Sequence, residues 1–244
     1  MWLTDLSNDG WQPVIERAKT DADEVGIHFE LCHLPFSGRV STPSDYLPIF
    51  NAQMYRAIDA AKMLGVDYAV LHPNTSTLHM QKYDKTAQYD LVMSHLAPFA
   101  EYAQKVGVNI AVENMRVIHE NYPVHRYCQT PDELCDIADA LGIGVCWDFG
   151  HANISGVKQS EGLAYVGKRL KVLHVNDNFA GEDIHILPFT GNVDWLDAMH
   201  GLALAEFDGL FNFELSVARV PSDMREIFAK YATSAADVLM GYIE

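Results

Sequence analysis

Short apolar runs alternate with longer amphipathic segments along the whole chain. The short runs are rich in Val, Ile and aromatic residues and are almost continuously apolar near their starts, which is typical of parallel strands covered on both faces. The starts of successive runs are spaced by about the length of one strand and one helix. The predicted strands are Trp2–Leu6, Ile27–Leu34, Tyr68–Pro73, Asn109–Met115, Ile143–Phe149, Lys171–Asp177 and Leu210–Ser216.

The amphipathic segments between these runs predict helices with clear start and stop signals. Ser44–Leu64 and Tyr89–Val106 are each followed directly by a glycine, which favours a helix end at that point. The sequence Thr-Pro-Asp-Glu at 130–133 indicates a capping box with proline at the first helical position, opening a helix that ends near Gly142. The last two predicted helices are Val193–Leu204 and Pro221–Ile243.

The repeated strand–helix order contains no linker or low-complexity stretch, so it predicts one α/β domain with a parallel sheet. Periodicity alone leaves a barrel and an open doubly wound sheet as alternatives. A chain of 244 residues has about the size of one α/β barrel, although eight β/α units fit into it only tightly.

Composition and charge narrow the function classes. The formal net charge of −16 disfavours nucleic acid and anionic membranes as partners. Four dispersed cysteines, with no signal peptide and no membrane-spanning run, predict a reduced, cytoplasmic protein. Neither GxGxxG after a strand nor GxxxxGK[ST] is present, so a dinucleotide or P-loop site has no support.

Residues that can bind metal follow nearly every predicted strand, and a late loop adds two more. Carboxyl ends of parallel strands meet on one face, so these side chains are expected to converge. A carboxylate in a buried strand is costly unless it is paired or metal-bound. Carboxylates and imidazoles together predict a divalent metal site, with unrelated buried ion pairs as the alternative. The residues are His33, His72, Glu113, Asp148, His151, His174, Asp183, His185 and Glu214.

The motifs around these residues resemble those of the xylose isomerase-like TIM barrels, a superfamily that includes sugar isomerases and epimerases, inosose and dehydroshikimate dehydratases, and endonuclease IV. The resemblance implies a TIM (β/α)8-type barrel in a single domain over residues 1–244. Members usually open with a complete first β/α unit, which makes the HLPF strand the third. Here it is only the second, so we expect the barrel to lack its first β/α unit at the N-terminus. The motifs, in the superfamily's order, are HLPF, LHPN, VEN, WDFGH, LHVND, DIHxxPxxGxxDW and FELS.

By resemblance to the sugar epimerases, one divalent ion is expected on Glu113, Asp148, His174 and Glu214. The oxygen-rich set favours Mn²⁺, with Mg²⁺, Co²⁺ or Zn²⁺ as alternatives. The implied activity is a sugar isomerase or epimerase in which Glu113 and Glu214 transfer a proton through a metal-stabilised enediolate. The expected partner is a sugar or polyol ketone, with no nucleic acid, no membrane and a homo-oligomer left open. The expected substrate-binding residues are His33, His72, His151 and His185.

Two other reactions fit the same residues. An inosose or dehydroshikimate-type dehydratase would use the same metal and enolate chemistry and then expel a hydroxyl. The nine residues given above also match the ligands of the trinuclear zinc site of endonuclease IV, although the net charge of −16 argues against a duplex-binding enzyme. Ketohexose epimerases carry an arginine soon after the metal-binding histidine, and residues 176–181 contain none. Arg39 and Arg116 are the nearby candidates for an anionic group, and both are expected to be solvated.

Overall fold

The computed structural model describes residue 6 and residues 9–36, 47–73, 83–119 and 123–243. The chain forms two compact units, Met1–Val112 and Glu113–Glu244, which are described in turn. The prediction of a single domain over the whole chain stays a prediction. All four cysteines are free thiols.

The first unit alternates helices with short parallel strands. The first strand pairs with the second and the second with the third, so that Cys32 lies opposite Ala69 and Val70 opposite Ala111. The last residue of the third strand, Glu113, begins the second unit. The elements are α1 (Gln12–Val25), β1 (Leu31–His33), α2 (Leu47–Leu64), β2 (Tyr68–Leu71), α3 (Lys85–Val106) and β3 (Asn109–Glu113).

Helix ends in this unit follow the predicted stop signals. Gly65 and Gly107 adopt φ angles of 74° and 77°, the left-handed conformation that favours glycine after a helix. Helix α3 begins earlier than predicted because the Asp84 carboxylate caps it, accepting a hydrogen bond from the Ala87 N–H at 3.0 Å. Helix α1 was not predicted from the sequence, since it buries only Ile15 and Ala22.

The strands of the first unit are shorter than predicted. The predicted strand 27–34 is reduced to β1, because Ile27 is 58% exposed and follows the left-handed cap at Gly26. The predicted strand 2–6 lies outside the described residues except for Leu6.

Among its described residues, the second unit holds a parallel strand pair, an antiparallel hairpin, five α-helices and two 3₁₀ turns. Strands β6 and β7 run parallel, and Asp148 lies opposite His174 at their carboxyl ends. The elements are β4 (Ile118–His119), β5 (Pro123–Val124), α4 (Pro131–Leu141), β6 (Gly144–Asp148), α5 (Phe149–Ile154), α6 (Gln159–Val166), a 3₁₀ turn (Gly167–Arg169), β7 (Leu170–His174), α7 (Trp195–Leu204), a second 3₁₀ turn (Ser222–Met224) and α8 (Arg225–Met240).

Two details of this unit correct the sequence predictions. Helix α4 starts with proline as predicted, but its capping box does not form, because the Thr130 hydroxyl bonds to Asp132 and the Glu133 carboxylate contacts His125 at 3.0 Å. The predicted strand 210–216 is a single parallel bridge between Val175 and Phe213. In this segment only Phe213 pairs with the chain just after β7, at Val175. Residues 210–216 are exposed or half-buried.

Candidate metal centre

The second unit brings four strand-end side chains into one small cluster. Glu113, Asp148 and His174 are the last residues of β3, β6 and β7, and Glu214 directly follows the Phe213 bridge. The Glu214 N–H donates to the Val175 carbonyl at 3.1 Å, which fixes its position beside β7. One ligand atom from each of these four residues lies within 4.8 Å of the other three. We call this set the four-ligand cluster.

Direct contacts link the members of the four-ligand cluster. Glu113 Oε1 lies 3.1 Å from His174 Nδ1, and Glu214 Oε2 lies 3.1 Å from the same nitrogen. Glu113 Oε1 also lies 3.3 Å from His151 Nδ1. Glu113 and Asp148 are 1% and 0% exposed, so their negative charges are held almost entirely away from water. A buried group of this kind needs positive charge close by.

Two asparagines position Asp148, and sequence reasoning assigned neither of them a role. Asn176 Nδ2 donates to Asp148 Oδ2 at 2.6 Å, and the His151 N–H donates to Oδ1 at 2.6 Å. Asn114 bonds to the backbone of Asp148 on both sides, accepting from its N–H at 2.6 Å and donating to its carbonyl at 3.0 Å. The motifs VEN and LHVND contain these asparagines close to predicted ligands. Asn114 directly follows Glu113, and Asn176 lies two residues after His174.

A second group lies beside the four-ligand cluster and centres on Asp183. One carboxylate oxygen of Asp183 lies 3.3 Å from His151 Nε2, and the other lies 3.0 Å from His185 Nε2. His185 Nδ1 lies 3.1 Å from the Glu214 carbonyl oxygen. His185 has a φ angle of 47°, a left-handed conformation that is strained for a side chain of this kind and typical of functional sites.

The imidazoles supply positive charge in this region. Burial alone would lower the pKa of His151, but the neighbouring Asp148 and Asp183 carboxylates hold it well above the ordinary value. Burial likewise opposes the charge on His185, yet its hydrogen bond to Asp183 raises the pKa of His185 to about 9. Burial raises the pKa of Asp148 to about 6 against the opposing charge of His151.

Asp177 holds in place the loop that carries Asp183 and His185. The Asp177 carboxylate is fully buried and accepts four hydrogen bonds at 2.9–3.1 Å. Its backbone also pairs with Ile186 in both directions, at 2.9 and 3.0 Å. The loop is therefore fixed by its own ends rather than by regular secondary structure. The four donors are the backbone N–H groups of Asn178, Gly191 and Val193 and the indole N–H of Trp195.

Of the residues predicted from sequence to form the site, two lie in the first unit. His33 and His72 form an edge-to-face ring pair with centroids 4.8 Å apart, and His33 Nδ1 lies 2.6 Å from the Leu34 carbonyl oxygen. His151 and His185 lie in the second unit with the four-ligand cluster, in the contacts described above. Arg39 lies outside the described residues.

The expectation that Arg116 is solvated is wrong. Its side chain is 29% exposed, and its Nε donates to Asp183 Oδ2 at 2.9 Å. Asp183 lies in the distant loop, so the sequence position of Arg116, three residues after Glu113, did not indicate this pairing. Burial alone would raise the pKa of Asp183, but its hydrogen bonds with His151 and His185 hold that pKa far below the ordinary value.

The donor set of the four-ligand cluster fits a divalent cation. Three carboxylates and one imidazole are offered, an oxygen-rich combination that suits Mn²⁺ or Mg²⁺ better than a structural zinc site. Glu214 Oε2 is buried and lies 3.1 Å from His174 Nδ1, yet it accepts no well-aligned hydrogen bond. This oxygen is therefore available to bind a cation in the cluster. Ligands supported by outer hydrogen bonds, as Asp148 is by Asn176, are typical of metal sites.

The order and spacing of these residues match a known family over most of the chain. The family model for the xylose isomerase-like TIM barrel matches residues 6–233. The chain belongs to this family. The resemblance inferred from the motifs is thereby confirmed, as is a fold of the TIM barrel class.

Curated relatives of this xylose isomerase-like chain are distant. An uncharacterized protein of Methanocaldococcus jannaschii is 27% identical over 218 residues, which cover 86% of this chain and 71% of that protein. The inosose isomerase of Bacillus licheniformis is 28% identical over 147 residues, 58% of this chain. That match spans half the length of the inosose isomerase.

Among solved structures, a D-tagatose 3-epimerase-like protein is similar in fold, with a TM-score of 0.72 and 22% identity. The similarity covers 93% of this chain and 85% of that protein. Within the described ranges, none of the helices combines the length and apolar character needed to span a membrane.

Proposed function

We propose that this chain is a divalent-metal-dependent sugar isomerase or epimerase. The observation that carries the proposal is the four-ligand cluster, in which two glutamates and an aspartate meet around one histidine within 4.8 Å. Family membership supports the same class, since the related inosose isomerase and the structurally similar epimerase-like protein bear names of this kind. The residues that would hold the ion are Glu113, Asp148, His174 and Glu214, with Mn²⁺ as the first candidate.

A bound divalent ion would supply a Lewis acid for a carbonyl oxygen and a neighbouring hydroxyl of the substrate. The protein supplies the proton transfer. In the proposed reaction one glutamate takes the proton from the carbon next to the carbonyl, and the electron pair of that C–H bond moves toward the carbonyl oxygen. The other glutamate returns a proton, to the opposite face of the same carbon in an epimerase or to the neighbouring carbon in an isomerase.

Glu113 and Glu214 are the proposed pair because both reach the same point of the cluster from different elements. Burial alone would raise the pKa of Glu214, but the imidazole of His174, 3.1 Å from its Oε2, lowers that pKa below the ordinary value. Glu214 is therefore ionised at neutral pH and able to accept a proton. Glu214 is also the more exposed of the two, with 34% of its side chain accessible against 1% for Glu113. We assign proton exchange with solvent to Glu214 on this basis.

The histidines are proposed to bind substrate hydroxyls. His185 is half-buried and lies beside both Glu214 and Asp183, so it is placed to meet a substrate at the cluster. His151 contacts protein groups through both ring nitrogens, and it also orders the ligands. His33 and His72 complete the proposed set. The proposed partner is a sugar or polyol ketone, and the proposed setting is a single barrel domain in the cytoplasm.

The test begins with metal analysis of the purified protein. The protein is then freed of metal with a chelator, reloaded with Mn²⁺, and screened against ketoses, inososes and hydroxypyruvate in heavy water. Deuterium uptake at the carbon next to the carbonyl, seen only with the reloaded protein, is the expected result. A UV-absorbing enone product would instead indicate a dehydratase. No uptake with any compound would contradict the proposal.

A further inference from the structure

Arg126 is a mostly buried cation with no counter-ion. It follows the β4–β5 hairpin, and its backbone N–H donates to Gln129 Oε1 at 3.1 Å, which holds this part of the chain in place. Its guanidinium Nε is shielded from solvent and has no hydrogen-bond partner. Within the part of the chain that the structure describes, its guanidinium forms no ion pair. An arginine buried without a partner is costly, so this one calls for a functional explanation.

The acidic groups nearest to Arg126 already have other partners. Asp183 and Glu113 both act electrostatically on Arg126. Asp183, however, is shared between Arg116 at 2.9 Å and two imidazoles. Glu113 contacts the imidazoles of the cluster at 3.1 and 3.3 Å. Neither carboxylate is within ion-pair distance of Arg126. Negative charge to balance its guanidinium would therefore come from a bound ligand.

Arg116 adds a second positive charge, which acts electrostatically on Arg126. Its Nε is committed to Asp183, while one terminal nitrogen makes only a long contact of 3.4 Å with the Val117 carbonyl oxygen. Burial and the charge of Arg116 lower the pKa of Arg126 to about 10, so the Arg126 guanidinium still carries its charge at neutral pH. Planar guanidinium groups of this kind match the paired oxygens of carboxylates and phosphates.

We propose that Arg126, supported by Arg116, binds an oxyanion of the substrate, and that the substrate is therefore a keto compound carrying a carboxylate or phosphate group. This inference rests on the proposed function, since it places the oxyanion next to Glu113. Both basic groups come from the segment after β3, and their positive charge favours an anionic substrate.

Binding is tested first without turnover, on the metal-free protein. The probes are inorganic phosphate and pyruvate, with glycerol as the neutral compound, and binding is measured by calorimetry and by the shift in Tm. Phosphate or pyruvate should bind the native protein, and Arg126→Met should weaken that binding tenfold or more, as should Arg126→Lys. Whichever anion binds more tightly identifies the group. Arg169→Met, which removes an exposed arginine paired with Asp139, is the matched control and should bind like the native protein.

The stability of Arg126→Met separates a binding role from a structural one. Removing a buried cation that lacks a partner should leave Tm in buffer unchanged or higher, whereas loss of a structural arginine lowers it. The inference is overturned if the native protein binds neither anion, if Arg126→Met binds as tightly as the native protein, or if its Tm in buffer falls.

Turnover then distinguishes this inference from the proposed function. Three compounds of three carbons are compared in heavy water with the Mn²⁺-loaded protein: dihydroxyacetone, dihydroxyacetone phosphate and hydroxypyruvate. One of the anionic compounds should have the lower KM, and Arg126→Met should reduce that preference over dihydroxyacetone tenfold or more. Equal KM values for all three would overturn the inference and leave the proposed function standing. Anion binding that depends on Arg126, without deuterium uptake from any compound, would support the inference and contradict the proposed function.

Discussion

Glu113 and Glu214 each place a carboxylate oxygen 3.1 Å from the same atom, Nδ1 of His174. Two carboxylates that converge on one point repel each other unless positive charge lies between or beside them. The imidazoles supply that charge in the protein by itself, and a divalent cation would supply it more strongly. The same arrangement sets two proton-accepting groups around one position, as reversible proton transfer at a single carbon requires.

Metal affinity should depend on Asp148. Because this residue is a proposed ligand, Asp148→Asn should weaken Mn²⁺ binding by roughly 100-fold or more, beyond the effect of removing a supporting group. Calorimetric titration of the metal-free protein measures this. Asp139→Asn alters an exposed aspartate that pairs with Arg169 and serves as the matched control. Equal affinities of the Asp148→Asn and native proteins would show that the ion binds elsewhere.

Asn176 should act as a positioning residue for Asp148. Its side chain donates to Asp148 Oδ2 at 2.6 Å, so Asn176→Ala should reduce Mn²⁺ affinity roughly 10- to 100-fold while the fold is kept. Asn109→Ala removes an exposed asparagine that donates to the Asp67 carbonyl and should leave the affinity unchanged. Titration of both variants side by side checks the expectation, and indistinguishable affinities would contradict it.

Asp177 should contribute more to stability than an ordinary helix cap. Removing its carboxylate leaves four donors without an acceptor, three of them in buried hydrogen bonds, so Asp177→Ala should lower the free energy of unfolding by about 3–5 kcal/mol. Asp194→Ala, which removes the cap of α7, should cost only about 1 kcal/mol. Urea unfolding of the two variants gives the comparison. A similar loss in both would mean that the Asp177 network adds little.

Buried thiols should make the protein less stable at high pH. Burial raises the pKa of Cys32 and Cys146 to about 12 and that of Cys135 to about 11. These thiols stay protonated in the folded state, whereas in the unfolded chain they ionise near pH 9. The unfolded state therefore loses protons first, and the free energy of unfolding falls from about pH 9 toward pH 11–12.

Replacement of one buried thiol isolates this effect. Between pH 8 and pH 10 the free energy of unfolding should fall less for Cys146→Ala than for the native protein, by about 1 kcal/mol. Urea unfolding at the two pH values provides the measurement. If the free energy of unfolding fell equally in both proteins, ionisation of Cys146 would not contribute to the loss of stability at high pH.

The ligand positions were predictable from the sequence because buried strands rarely end in charged groups without a reason. Glu113, Asp148 and His174 each close an apolar run, and parallel pairing then brings such ends to one face. The contact of Arg116 with Asp183 was not predictable in the same way, because it depends on the path of an irregular loop. That loop is fixed by Asp177, whose donors are mostly backbone groups.

The boundaries of strands and helices depend on tertiary contacts, which the periodicity of apolar residues does not reveal. Residues 210–216 have the apolar alternation of a strand, yet only Phe213 finds a partner, so the pattern overstated the pairing. Helix α1 has too few buried residues to give a helical stripe, and it was missed for that reason. Arg126 follows the β4–β5 hairpin, and Arg116 precedes it. The electrostatic effect of Arg116 on Arg126 depends on the pairing of these two strands, which periodicity does not predict.

The most direct test of the central claim is deuterium uptake by Glu214→Gln. The substrate is the compound that the native, Mn²⁺-loaded protein labels in heavy water, and uptake at the carbon next to its carbonyl is followed by NMR. Glu161→Gln alters an exposed glutamate beside Lys158 and is the matched control. We predict that Glu214→Gln folds normally but loses uptake by about 100-fold or more, while Glu161→Gln keeps the native rate. Uptake at the native rate in Glu214→Gln would contradict the account.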